Sequence, residues 1–466
     1  MPDRYHITTS PVPGRFRRVG KYGSIDLRED CSRCSNCVKP RCLYDTYRKE
    51  TAHNRDPNSS IQPSYQCRAC FSCVQGCTKG LLGLGVNPEY LSLGDDYWKP
   101  DILDTTWTQA DTGRIPVSGA GYRGRFHGPG FDSIWTDMSE IVRPTRDGIH
   151  GREYISTSVD IGSKPMRLKF GPKGEIVGDF AHLIELPLPV VIDLPPWKMD
   201  DRALGQARLV AATALQTLAV VKASDLAGVP SDQLFCAVPL IGSQADAQDS
   251  VLAKVRMVEI QEGPLALTLA THVSRKHPAL IVALRLPMQA ACSTRIIECA
   301  KQGIKVFHLC ADLHGREPGV KPARHIKDVM REVHGGLVKA GLRDEVTLIV
   351  GGGIALPEHM AKAIICGADL VAVDTAVLVA LGCHVCQGAE RSVHHEQCPA
   401  EIESCDGAYA AQRIINLLGA WHSQLIEVLG AMGIREVRRL RGEVGRAIFM
   451  EDIEREAFGD LVRKQH

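Results

Sequence analysis

The chain has 466 residues, 44% hydrophobic and 23% charged, with 55 Lys and Arg against 54 Asp and Glu for a net charge of +1. This is ordinary globular composition, so it excludes a disordered chain and gives no electrostatic reason to expect nucleic acid or a membrane surface as partner. The N-terminal "MPDRYHITTSPVPGRFRRVG" lacks an apolar signal core, and no stretch approaches the roughly 18 apolar residues of a spanning helix, so a cytoplasmic location and no membrane insertion are expected.

Seventeen cysteines in such a chain read as metal ligands rather than disulfides. In residues 1–95, "CSRCSNCVKPRC" supplies Cys31, Cys34, Cys37 and Cys42, and "CRACFSCVQGC" supplies Cys67, Cys70, Cys73 and Cys77. Zinc knuckles also use C-x2-C, but zinc gives no reason for a third cysteine at the same interval. Three thiolates in one tight turn can cap three corners of an iron–sulfur cubane, and the fourth ligand comes from elsewhere. The module resembles bacterial ferredoxins, in which each run lends its fourth cysteine to the other cluster. By that rule Cys31, Cys34, Cys37 and Cys77 hold one [4Fe–4S] cluster, and Cys67, Cys70, Cys73 and Cys42 hold a second. The first run ends x4-C rather than x3-C, and Leu43 and Thr78 stand where those ferredoxins place proline.

Residues 96–185 read as an irregular connecting segment. Its "GAGYRG", Gly119 to Gly124, is a literal G-x-G-x-x-G, but no helix pattern follows it, so it reads as turns rather than a dinucleotide site.

Over residues 186–382, short apolar runs alternate with amphipathic stretches: "VVIDLPPW", "LAVVKASD", "LFCAVPLI", "VRMVEIQ", "ALIVALRL", "IKVFHLC", "VTLIVGG" and "LVAVDTA". The eight runs are β-branched and nearly continuous in apolar character, as strands buried on both faces should be. Eight β-then-α units predict a (β/α)8 barrel, an α/β fold whose chemistry sits at the C-terminal strand ends. In "KPARHIKDVMREVHGGLVKAGL" an apolar stripe of Ile326, Val329, Met330, Val333 and Leu337 predicts a helix with its basic residues on a solvated outer face. Cys236, Cys292, Cys299, Cys310 and Cys366 lie singly within apolar segments and read as small core residues.

The seventh run ends in Gly351, Gly352 and Gly353, and the eighth in Asp374, Thr375 and Ala376 ahead of a helix. Glycines let backbone N–H groups approach a phosphate closely, so these ends are candidate cofactor-binding positions. Lys222, Glu259, Arg285, Asp312 and His314 are the polar residues projected near strand ends. Arg285 is a candidate counter-charge for a flavin anion or substrate carboxylate, His314 a candidate proton donor, and Glu259 a third candidate catalytic group, with a satisfied salt bridge or helix cap as the alternative reading of each. Residues 383–405 add Cys383, Cys386, Cys398 and Cys405, and residues 406–466 form a helical extension.

"GGGIALPEHMAKAIICGADLVAVDTAVLVALGC" followed by "CPAE" resembles the end of the FMN-binding barrel of glutamate synthases. "DMSEIVRPTRDGIHGREYISTSVDIG" and "AAQRIINLLGAWHSQLIEVLGAMGIREVRRLRG" resemble segments of the archaeal-type synthases, which also carry an N-terminal ferredoxin module. The resemblance implies FMN, and a third cluster, [3Fe–4S] or [4Fe–4S], held by Cys383, Cys386 and Cys398 with Cys405 available as a fourth ligand. It implies an oxidoreductase that takes electrons from ferredoxin or a redox partner protein and delivers them to FMN, with 2-oxoglutarate as a candidate substrate. The chain departs from the family at the mouth, carrying "DLPPWK", "KASDLAG", "EIQEGPLA", Arg285 and "CADLHGRE" where the synthases carry other motifs. No N-terminal cysteine nucleophile follows Met1 and no NADPH-binding fingerprint is present, so a separate glutaminase or NAD(P)H-oxidising subunit is expected as partner. A second expectation is a non-catalytic electron-transfer subunit of a larger redox complex, its substrate site lost.

Overall fold

The computed structural model describes residues 5–15, 21, 24–27, 38–43, 70–115, 130–136, 155–163, 169–177, 183–196, 202–226, 228–243, 249–385 and 405–462. Cys31, Cys34, Cys37, Cys67, Cys386 and Cys398 and the "GAGYRG" turn lie outside the described residues. The chain divides into two units: Pro13–Asp104 with His384–Glu390, and Met1–Val12, Thr105–Cys383 and Arg391–His466.

In the smaller unit, strands Ser24–Leu27 and Leu82–Gly85 pair antiparallel, Ser24 opposite Gly85 and Leu27 opposite Leu82. Between them in sequence, short helices Val38–Arg41 and Ser72–Gln75 pack on each other. Their approach is close, since a Cβ on Gly76 would stand 2.8 Å from Cγ of Arg41. The first helix follows Cys37 in sequence and precedes Cys42, whereas the second contains Cys73 and precedes Cys77. Phe71 enters the second helix in the left-handed region, with φ 59°.

The larger unit is built on a closed barrel of eight parallel strands. We number them β1 (Val190–Ile192), β2 (Leu218–Lys222), β3 (Ala237–Ile241), β4 (Met257–Gln261), β5 (Ile281–Pro287), β6 (Val306–Cys310), β7 (Thr347–Gly351) and β8 (Leu370–Val373). Each lies within one of the eight apolar runs, save that β5 continues one residue further, to Pro287. Pairing passes from strand to strand and closes where Val371 and Val373 of β8 meet Val190 and Ile192 of β1. Strands β7 and β8 are buried along their whole length, which is why their sequences carry no polar alternation.

A helix follows each strand: α1 (Arg202–Ala214), α2 (Ser231–Leu234), α3 (Asp249–Leu252), α4 (Ala266–Lys276), α5 (Cys292–Lys301), α6 (Ile326–Lys339), α7 (Pro357–Ile365) and α8 (Thr375–Ala380). A longer helix, α9 (Gly407–Ala431), packs on α1, α7 and α8, and its Arg413 Nε donates to the Ala380 carbonyl at 2.6 Å.

Two expectations change here. The stripe of Ile326, Val329, Met330, Val333 and Leu337 on α6 is buried as predicted, but Lys327 is buried too and pairs with Ser133 and Glu451. Arg331 pairs with Asp452 at 3.3 Å, so the C-terminal helix α10 (Met450–Val462) supplies acids to a face expected to be solvated. The connecting segment also contains a regular helix, Pro100–Thr112, with Ile102, Leu103, Trp107 and Ala110 buried.

Candidate functional site

Inward-facing side chains on parallel barrel strands meet in layers, because residues two apart on a strand share a face. On β6 these are His308 and Cys310; on β4, Glu259; on β5, Arg285, which lies opposite His308 in register. Asp193 follows β1, anchored by its amide to the Val373 carbonyl at 2.9 Å. Together they form a dense ionic cluster. Arg285 Nη1 donates to Asp193 Oδ1 at 2.8 Å and to Glu259 Oε2 at 2.9 Å, and its Nη2 donates to Asp193 Oδ2 at 2.7 Å. His308 Nδ1 sits 2.8 Å from Glu259 Oε1 and 3.2 Å from Arg285 Nη1. Glu259 and His308 are fully enclosed, at 0% exposure, whereas the Arg285 side chain keeps 13%.

Isolated buried charges would be prohibitive, so the cluster holds only because its charges answer one another. Burial pushes against ionisation of Asp193, but Arg285 and then His308 outweigh it and hold this carboxyl at about 2. Burial likewise opposes the Glu259 charge, and His308 and Arg285 bring its pKa below the ordinary value. For His308, burial disfavours the imidazolium, yet Cys310, Glu259 and Asp193 together raise it well above its ordinary range.

Arg285 and Glu259 take the salt-bridge alternative among the readings offered for them. They face each other inside the barrel, and the Arg285 charge is already matched by two carboxylates. Lys222 is exposed at the C-terminal end of β2. His314 lies half-buried in the loop after β6, where the Asp312 carboxylate organises the turn by accepting from the amides of His314 and Arg316, both at 2.8 Å.

The ends of β7 and β8 are built from backbone. Gly352 and Gly353 have φ of +92° and +67°, a region that favours glycine. A Cβ on Gly352 would lie 2.6 Å from the carbonyl oxygens of Ala311 and Asp312, and one on Gly353 would lie 2.3 Å from the Gly315 amide. The glycines give room to the loop after β6. Asp374 caps α8 by accepting from the Thr375 amide, and burial followed by the nearby Asp193 charge pushes its carboxyl up to about 6.

Sequence reasoning missed Asp193, His308 and Cys310. The available signal was the i, i+2 pair in "VFHLC", since a polar residue in a strand buried on both faces points into the barrel. Among the proposed cluster ligands, Cys42, Cys70, Cys73, Cys77, Cys383 and Cys405 fall within the described residues. Cys77 Sγ accepts from the Leu81 amide at 3.3 Å, and that donor leads in lowering its thiol pKa.

Residues 326–435 match the family described as the conserved region in glutamate synthase. The chain is 24% identical over 482 residues to the archaeal-type glutamate synthase [NADPH] of Dehalococcoides mccartyi, covering 90% of this chain and 93% of the relative. It is 24% identical to the archaeal glutamate synthase [NADPH] of Archaeoglobus fulgidus, over 93% of this chain and 96% of that one. A weaker likeness in shape, TM-score 0.42 at 11% identity over 78% of this chain and 82% of the other, links it to the flavin-binding domain of baker's yeast flavocytochrome b2. The matched region runs from α6 through β7, β8 and the cysteine-rich stretch to α9. The chain is thus similar to the archaeal-type glutamate synthases along nine-tenths of its length, and its residues 326–435 match the conserved region in glutamate synthase.

Proposed function

We propose that this chain is an iron–sulfur flavoprotein oxidoreductase of the glutamate synthase type. The observation that carries the reading is its relation to archaeal-type glutamate synthases over nine-tenths of its length, with the family's conserved region spanning the last two barrel strands and the cysteines after them. When bound, two [4Fe–4S] clusters and a third cluster carry single electrons, and FMN turns them into a two-electron reduction of substrate. The donor is ferredoxin or a partner subunit, and 2-oxoglutarate with ammonia, through 2-iminoglutarate, is the substrate to test first.

The residues present fit thiolate ligation in the N-terminal module. Hydrogen bonds to sulfur are one of a protein's means of tuning a cluster, and the Leu81 amide makes one to Cys77. The packing of Val38–Arg41 on Ser72–Gln75 supports Cys42 as fourth ligand to the second run. At the barrel mouth the fit to FMN rests on Lys222, exposed at a strand end, and on the run of glycines Gly351, Gly352 and Gly353 at the end of β7. The Gly352 and Gly353 side-chain positions are taken by the loop after β6, so a phosphate there would meet backbone rather than side chains. Asp374, neutral below about pH 6, would repel such a phosphate less once protonated.

A second reading, a non-catalytic electron-transfer subunit, is favoured by the charge matching at Arg285, which leaves that guanidinium no surplus charge for a substrate carboxylate. Flavin, iron and acid-labile sulfide per chain, measured on protein purified without oxygen, separate the two. About one FMN with about eleven or twelve irons supports the enzyme reading. Full iron without flavin sinks it in favour of the second.

A further inference from the structure

The ionic cluster leaves one atom without a role. His308 is fully buried and Glu259 occupies its Nδ1, while its Nε2 has no hydrogen-bond partner among the described residues. Buried polar nitrogens are rarely left that way, because the hydration they lose is not replaced. Nε2 faces Asp193 Oδ2 at 3.7 Å, too long for a hydrogen bond. Cys310, two residues along β6 and on the same strand face, brings its sulfur into the same space. One ligand atom each from Asp193, His308 and Cys310 lie within 4.8 Å of one another.

We infer that Asp193, His308 and Cys310 form a binding site for a divalent transition-metal cation, zinc being the first to test. Imidazole nitrogen, thiolate sulfur and carboxylate oxygen are the donors zinc takes, and three protein ligands leave a fourth position open, as in sites where zinc does chemistry. The surroundings of His308 suit a metal ligand. Histidines that bind metal donate their other ring N–H to a carboxylate, which fixes the tautomer and turns the free nitrogen toward the ion. Glu259 Oε1 is placed to accept that proton at 2.8 Å, and Arg285 Nη1 holds Glu259 in turn at 2.9 Å.

Charge agrees with geometry. Asp193, Glu259 and a Cys310 thiolate carry three negative charges and Arg285 one positive, so a divalent ion beside a neutral imidazole brings the site to zero. Asp193 Oδ2 also accepts from Arg285 Nη2 at 2.7 Å, and a carboxylate oxygen has lone pairs for both. Gly351, opposite Cys310 in register, keeps the adjoining space clear, because a Cβ there would stand 3.0 Å from His308 Nε2. The inference depends on neither the flavin nor the iron–sulfur reading.

Zinc-edge X-ray absorption on the full chain, purified anaerobically with its native metal content and then dialysed against zinc, tests it. The expected result is about one zinc with a single sulfur at ~2.3 Å and nitrogen or oxygen neighbours at ~2.0–2.2 Å. Cys310→Ser is expected to lose both the sulfur shell and that zinc. Zinc held only in an all-sulfur shell, which would come from the cysteine runs, overturns the inference, as does equal zinc with an unchanged shell in Cys310→Ser. Should the variant not fold, the parent spectrum decides alone: no zinc, or zinc without the single-sulfur shell, overturns it.

Discussion

Two sides of the barrel mouth end their buried strands in opposite ways. On β4, β5 and β6, with Asp193 after β1, the interior is filled by charged side chains that neutralise one another. On β7 and β8 the strands are buried throughout, and their ends are formed by glycine backbone and one capping carboxylate. The first side draws its properties from groups that can hold or exchange cations and protons. The second draws them from close backbone approach, which fixes the loop after β6. The family match covers β7 and β8 but stops short of β1 to β6, so the side built of backbone is the one this chain shares with the family's conserved region.

Removing one member of the charged side should have the largest effect. Arg285→Met leaves Asp193 and Glu259 buried with one cation fewer, and a loss of about 3–5 kcal/mol in stability is expected from thermal or denaturant unfolding. A variant that melts with the parent would show that the ionic cluster does not hold this side together.

Asp374 joins the two sides, since its carboxyl is raised from 3.8 to about 6 by burial and then by Asp193. A raised carboxyl pKa means that the native state binds the proton more tightly than the unfolded chain. The charged form therefore costs stability above pH 6, and the cost fades as pH falls toward 4. Asp374→Asn should be more stable than the parent at pH 7.5, by on the order of 3 kcal/mol, with the gain vanishing near pH 4. A gain independent of pH would contradict this origin.

A smaller loss, about 1–2 kcal/mol from the left-handed backbone before any clash is counted, is expected for Gly353→Ala. Gly351→Ala, with no positive φ, should cost less. Equal melting temperatures for the two variants would show that close approach by the loop after β6 is not what requires glycine at 353.

The barrel was legible because all eight strands are buried and so read as β-branched apolar runs, with α6 marked by its stripe from Ile326 to Leu337. The helix Pro100–Thr112 was not, because Thr105, Thr106 and Gln109 are buried beside Trp107 and Ala110 and blur the apolar period. Lys327 looked solvated because its acid partner, Glu451, lies 124 residues away in sequence. In the site, Glu259 and Arg285 stood out as charges within apolar runs. Their partners Asp193 and His308 did not, since which strand faces which across a barrel interior depends on register and closure, and no local pattern encodes either. Cys310 looked like core for the same reason.

In the proposed function, this one chain carries electrons from cysteine-bound clusters to a flavin at the barrel mouth. The direct test is to add reduced ferredoxin to the anaerobically purified chain and follow cluster and flavin absorbance together. The account predicts that both bleach, and that 2-oxoglutarate with ammonia restores the flavin band. Clusters that bleach with no flavin signal, or beside a flavin that stays oxidised, would contradict it.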